Sequence, residues 1–390
     1  MISASNTEAS IAPITRSDLV NVKRAYTTRR VNDEDFSTLL TGAVRPRIGD
    51  LVLASVEKIG SHKQLELPTG RKAHLAVGDK IIVAYGNRYA PDQFEAMIGK
   101  DLGRCHLVAA GGVAASKISK HDRMSEPTRI LPLGLIGSST GKPINLADYA
   151  LAIDDSPRSI TTILVAGTSM NAGKTTTAAS LVHALAKAGQ KVAGIKSTGT
   201  GSGGDAWLML DMGAALALDF TDAGLPSTYL ASPHVIEHNV LGLIGHAADQ
   251  GCSVAVVEVA DGLHHEETAT LLKSSRLRAI ARGVVFAAND ALGAEAGVAM
   301  LRDLGHRVLA VSGQLTRSPL AIREASRATG LPVVTAEEVQ AGCLSGLTTL
   351  PATGPIKAGT ARRPAVALAT VPSLSRGHGA AESEAVLYFG

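Results

Sequence analysis

A short β-branched segment, Thr161 to Ala166, runs directly into Gly167-Thr168-Ser169-Met170-Asn171-Ala172-Gly173-Lys174-Thr175-Thr176 and then into an alanine-rich stretch. Few local patterns constrain a fold so tightly. Strand, glycine turn and helix start must follow one another without slack, so that successive backbone N–H groups turn inward around an anion at the positive end of the helix. In such a loop Lys174 reaches the outer phosphates and the Thr175 hydroxyl can ligate Mg²⁺. A glycine-rich turn that binds nothing is the alternative. The flanking writing favours the phosphate loop, because Ala178, Ala179, Leu181, Val182, Ala184, Leu185 and Ala186 carry a helix to a stop at Gly189, and Lys191 to Ile195 then reads as a second strand. The opening glycine stands at 167, one residue earlier than the usual spacing back from Gly173 would place it, at Thr168.

The rest of the chain divides near Asp155. Before it, Asp50 to Val56, Lys63 to Leu67, Lys72 to Leu75 and Lys80 to Tyr85 are short, partly alternating segments separated by glycine turns, which predicts a small β-barrel. After it, strands are predicted near 161–166, 191–196, 253–258, 282–288, 307–312 and 332–334 with helical patterns between most of them. That rhythm predicts an α/β fold with a mostly parallel sheet flanked by helices. The expected organisation is an N-terminal extension over 1–40, a β-rich domain over 41–155, a P-loop domain over 156–345 and a loosely packed arm over 346–390.

With 390 residues, a net charge of +3 and 3% aromatic content, the chain has neither the basic excess nor the stacking surfaces that would point to nucleic acid. No apolar run reaches the roughly 20 residues of a membrane span. Cys105, Cys252 and Cys343 are far apart, show no metal-ligand spacing and read as reduced thiols of a cytoplasmic protein.

Two further segments carry candidate chemistry. Val254 to Gly262 is a buried-type strand that ends in acids, and Glu258 lies where a neighbouring parallel strand meets Mg²⁺ in this fold class; a water-facing strand-end acid and an Asp261-Gly262 turn are the alternative. Gly194 to Asp205 places Lys196 at a strand end before a glycine-rich polar loop. Lys196 with Ser197, Thr198, Asp205 and Asp261 would then face a substrate, unless the loop is a linker and Asp205 a helix cap. The phosphate loop with its displaced glycine, Val257-Glu258 and the Lys196 loop together resemble dethiobiotin synthetase and its relatives, of the SIMIBI class of P-loop NTPases, over about residues 158 to 345. At Val259 and Ala260 this chain departs from the family's glycine-rich pattern.

Other polar positions are weaker. Asp219 and Asp222 could bind an amine or a second metal, or be two solvated loop acids. His264 or His265 could act as a base. Asn289 or Asp290 could read the nucleotide base, and without an Asn-Lys-x-Asp run ATP is favoured over GTP. Tyr85 to Tyr89 reads as a hairpin with its tyrosines packed on the barrel in preference to a recognition loop. The resulting expectation is a Mg-ATP-dependent synthetase, ligase or phosphotransferase, with Lys174, Lys196 and Glu258 as its catalytic groups, that activates a small acidic metabolite. The alternative is a nucleotide-switch ATPase or GTPase for cofactor maturation or partner assembly. A homodimer is the expected assembly.

Overall fold

A computed structural model describes residues 8–349, so the part of the expected C-terminal arm beyond Thr349 lies outside the described residues. In the N-terminal half, β1 (Leu51–Lys58), β2 (Lys80–Tyr85), β3 (Cys105–Ala109), β4 (Val113–Lys120) and β5 (Thr128–Gly137) close on one another in the order β5-β1-β2-β4-β3-β5. Only the β2–β4 pair is parallel. Closure removes the free edges that would otherwise recruit other strands. Val52, Ala54, Val56, Ile81, Val83, Leu107 and Ile130 fill one core, while Leu51, Leu53, Ile82 and Ala84 pack outward on Val31, Phe36, Ile144 and Leu146. Burial on both faces explains why β1 and β2 alternate only in part. Residues expected to form a separate extension join this sheet, with Ser10–Pro13 pairing Thr38–Thr41 and the latter pairing β5.

The C-terminal half is a parallel sheet of β6 (Thr161–Gly167), β7 (Val192–Lys196), β8 (Leu216–Asp219), β9 (Val254–Glu258), β10 (Ala281–Ala287) and β11 (Val308–Ser312), ordered β8-β7-β9-β6-β10-β11. All five pairings are parallel. Central β6 sends Leu164 and Ala166 into one apolar layer and Ile163 and Val165 into the other, as a strand covered by helices on both faces must. Two strand expectations are corrected. β8 is a strand where none is expected, its last residue Asp219 being the first of the expected loop acids, and the strand expected at 332–334 is a single parallel bridge from Val333 to Val311. Pro332 has no N–H to give a ladder, which limits the pairing there.

Two buried clusters join the halves. Glu66 accepts hydrogen bonds from Gly203 N (2.9 Å), Ser202 Oγ (3.2 Å) and Trp207 Nε1 (3.0 Å), which fixes the glycine-rich loop and the start of α2 (Gly204–Asp211) against the β-rich region. That loop is therefore not a free linker. Tyr26 donates to Asp219 (2.8 Å), and Arg29 lies over the Tyr26 ring at 4.0 Å while pairing with Asp222 (2.6 Å) and Asp219 (3.3 Å). The two aspartates are buried and already neutralised, so neither the metal-site nor the solvated-acid expectation describes them. Burial and the neighbouring Asp219 push the Asp222 carboxyl up, against the pull of Arg29. No helix among the described residues is long and apolar enough to cross a membrane.

Candidate functional site

The loop from Gly167 to Gly173 links β6 to α1 (Lys174–Lys187) at the carboxyl end of the sheet. Here the displaced glycine has a physical reason. A Cβ at Gly167 would stand 2.8 Å from both the Ala287 carbonyl and Lys174 Cγ, so the loop can leave the strand there only without a side chain. Gly173 caps α1 at φ +97°, and a Cβ on it would meet Gly313 Cα at 2.9 Å. The first N–H groups of α1 have no acceptor within the helix and face the same end as the loop. Buried Lys174 donates to the Ser169 carbonyl at 2.7 Å, and burial lowers its ammonium against the opposing charges of Glu258 and Asp261.

Strand register carries the acids to this loop, because Glu258 is the partner of both Val165 on β6 and Lys196 on β7. Thr175 Oγ1 donates to Glu258 Oε1 at 2.8 Å, whereas Glu258 Oε2 is buried without a hydrogen-bond partner. Burial, reinforced by Asp205, raises the Glu258 carboxyl to about 7 in spite of Lys196 and Lys174. A hydroxyl beside a carboxylate with a spare oxygen suits Mg²⁺, a hard cation that takes its remaining ligands from phosphate and water. No cluster of three ionisable ligands suited to a metal occurs among the described residues.

Lys196 borders the cleft, as a lysine facing a substrate would, but not as a free cation. It is paired with Asp205; burial alone would lower its ammonium, but Asp205 and Glu258 outweigh burial and hold it raised. Asp205 is therefore a counter-ion on α2, not a helix cap. Ser197 Oγ donates to the Glu258 carbonyl (2.9 Å) and Thr198 Oγ1 accepts from Ala260 N (2.9 Å), so both buried hydroxyls brace the end of β9 and neither borders the cleft. Asp261, at φ +61°, does border the cleft.

The cleft is a 460 Å³ cavity bordered by Lys174, Thr175, Lys196, Glu258 and Asp261 on one side and by Arg88 of the β-rich region on the other. A second hollow of 380 Å³ shares Gly173, Thr176 and Gln314 with it and runs toward Arg317 and Glu337. The phosphate loop thus lies between two hollows. Asn289 donates to Ser169 Oγ (3.0 Å), and Asp290 caps the helix Ala291–Asp303 through Gly293 N (2.7 Å). Neither borders either hollow. His265 is buried beside the cleft with its ring 4.4 Å from that of Tyr89 and its Nε2 3.1 Å from Glu267, while His264 is exposed.

The β-rich region contributes a wall that the preferred reading of Tyr85 to Tyr89, a hairpin packed on the barrel, does not include. Arg88 and Tyr89 border the cleft instead of only packing on the barrel, and Asp92 accepts from Asn171 of the phosphate loop at 2.8 Å. An arginine beside a Gly-Asn turn was the available signal.

No protein-family model matches the chain, and no curated protein does. Among solved structures it is similar to the 54 kDa signal recognition particle protein of Aeropyrum pernix K1 in complex with GDP, at 19% identity and a TM-score of 0.33 over 50% of this chain and 45% of that one. The signal recognition particle receptor FtsY of Elizabethkingia anophelis gives 16%, 0.27, 43% and 53% for the same quantities, and FtsY of Thermotoga maritima gives 15%, 0.35, 50% and 68%. The chain thus spans about half the length of the first two. At such values the likeness leaves function to the geometry of the chain itself.

Proposed function

We propose that the protein is a Mg²⁺-dependent P-loop nucleoside triphosphatase that works as a nucleotide switch, with the β-rich region responding to what the phosphate loop holds. The observation that carries this reading is the position of the loop. It is hydrogen-bonded to the β-rich region through Asn171 and Asp92, and the cleft at its outer end has one wall from each region. Lys174 and the first N–H groups of α1 would bind the phosphates, with Thr175 and Glu258 holding Mg²⁺, which offsets charge on the departing phosphoryl group. Glu258 would keep the Thr175 hydroxyl oriented. The nucleoside would occupy the hollow bordered by Gln314 and Arg317.

A second reading keeps a synthetase or phosphotransferase that activates a small acidic metabolite with ATP. The 460 Å³ cavity favours it, since this is more room than a terminal phosphate fills. One experiment separates the two. Phosphate release is measured with Mg-ATP and Mg-GTP, alone and with a panel of small carboxylic acids. Steady hydrolysis without any acid, together with different hydrogen exchange over residues 86–93 in the di- and triphosphate complexes, supports the switch. Release only with one acid supports the synthetase, and failure to bind either nucleotide rejects both.

A further inference from the structure

The least exposed lysine and arginine among the described residues are Lys174, at 5%, and Arg88, at 7%. Among the described residues neither is paired with a carboxylate within 4 Å, and both border the same cavity. Burying a cation without a counter-ion is costly. The phosphate loop accounts for Lys174. Nothing described so far accounts for Arg88.

Its surroundings exclude a simple structural ion pair. Arg88 Nη2 donates to Gln93 Oε1 (2.8 Å), Nη1 lies 3.4 Å from His62 Nε2, and Nε is buried with no partner. His62 is held neutral, because burial and the neighbouring guanidinium lower it to about 4, and its Nδ1 faces the Leu107 carbonyl at 3.1 Å. Phe94 lies 5.9 Å from the guanidinium carbon. Asp92 and Asp261 act on Arg88 only through space, and Asp92 already accepts from Asn171. By contrast, Arg29, at the other contact between the two regions, has two aspartates within pairing distance.

We infer that Arg88 is an anion ligand of the cleft, a guanidinium carried by the β-rich region to bind an oxyanion seated opposite Lys174. This rests on the nucleotide reading and sharpens it, since the oxyanion is either the terminal phosphate of the nucleotide or a separate phosphate or carboxylate beside it. A guanidinium presents planar paired donors to such a group and stays charged at neutral pH. Either source would give the β-rich region a direct means of distinguishing one occupant of the loop from another.

The test measures binding of ADP, of its non-hydrolysable β,γ-imido triphosphate and of the guanosine counterparts to the wild-type protein, Arg88→Gln and Arg88→Lys. It also measures binding of inorganic phosphate and of succinate to the diphosphate-loaded proteins. For the terminal phosphate, Arg88→Gln lowers triphosphate affinity at least 10-fold with diphosphate affinity unchanged, and Arg88→Lys recovers part of the loss. For a separate anion, the triphosphate preference stays and affinity for phosphate or succinate falls by a similar factor. Equal weakening of di- and triphosphate, or no change in any affinity, overturns the inference while leaving the nucleotide reading standing. If wild type binds no nucleotide, both fall. Should Arg88→Gln fail to fold, Gln93→Leu keeps the guanidinium but removes its nearest acceptor. A selective change in triphosphate or anion affinity then supports the role, and its absence overturns it.

Discussion

The β-rich and P-loop regions meet at two places built on opposite principles. At the Glu66 and Arg29 contacts every charge has its partner: three donors converge on Glu66, and Arg29 sits between Asp219, Asp222 and the Tyr26 ring. At the cleft, Lys174 and Arg88 are buried without an ion pair among the described residues, with Glu258, Asp261 and Asp92 acting on them only through space, and Glu258 keeps one oxygen unbonded. A contact whose polar groups are all satisfied holds two regions together. One that leaves several unsatisfied has binding capacity in reserve. The first place is a clasp and the second a site, and substitutions in each should fail in different ways.

The largest effect belongs to the site. Lys174→Ala should weaken nucleotide binding by about 3 kcal/mol, roughly 100-fold, because it removes a charge-assisted phosphate contact. Its melting temperature without nucleotide should stay level or rise, since a buried unpaired cation is lost. Titration calorimetry and thermal melts check both, and a clear loss of stability would show that Lys174 belongs to the framework.

The clasp should show the reverse. Glu66→Ala strands the Trp207 and Gly203 donors and should cost about 2 kcal/mol of stability. Nucleotide affinity measured well below the melting temperature should change little. A matching drop in affinity would mean that clasp and site are one unit.

Much of the site's P-loop wall was legible because its parts are contiguous: strand, glycine turn, lysine and helix lie within residues 161–187, and Glu258 follows from where a parallel strand ends. Expectations failed where a residue's meaning depends on distant neighbours. Lys196 looked free until Asp205 came round on α2 to neutralise it. Arg88 takes its significance from His62, Gln93 and a loop some 80 positions further on, as Asn171 and Asp92 show. β8 escaped because four residues, two of them only partly buried, offer too little periodicity. Barrel closure rests on β3 pairing with β5, which no local pattern announces.

Glu258 should sharpen the contrast through pH. Its carboxyl, raised to about 7 by burial and Asp205, binds a proton more tightly when folded than at its ordinary value of 4.5. The stability contributed by the neutral form is thus complete below about pH 4.5 and lost as pH rises through 7. Glu258→Gln is neutral throughout. Without Mg²⁺ the variant should gain on wild type between pH 5 and 8, by about 2 kcal/mol or roughly 4–8 °C. Added Mg-nucleotide should stabilise wild type more than the variant, and a pH-independent difference in melting temperature would show that the carboxyl titrates normally.

The smallest effect concerns the direct hydrogen bond between the phosphate loop and the β-rich region at the cleft. Asn171 holds φ +63°, which asparagine tolerates better than most residues, and donates to Asp92 at the cleft margin. Asn171→Gly retains the backbone freedom and deletes only that bond, so stability should fall by about 0.5 kcal/mol. Nucleotide affinity should fall by a similarly small factor. Coupling should respond more, because this bond links the loop's conformation to the segment that carries Arg88. In Asn171→Gly the difference in hydrogen exchange over residues 86–93 between di- and triphosphate complexes should shrink, while exchange at the Glu66 contact stays as in wild type. If the difference persists at full size, the two regions communicate through the bound anion and Arg88 alone, and the Asn171–Asp92 bond belongs with the clasp.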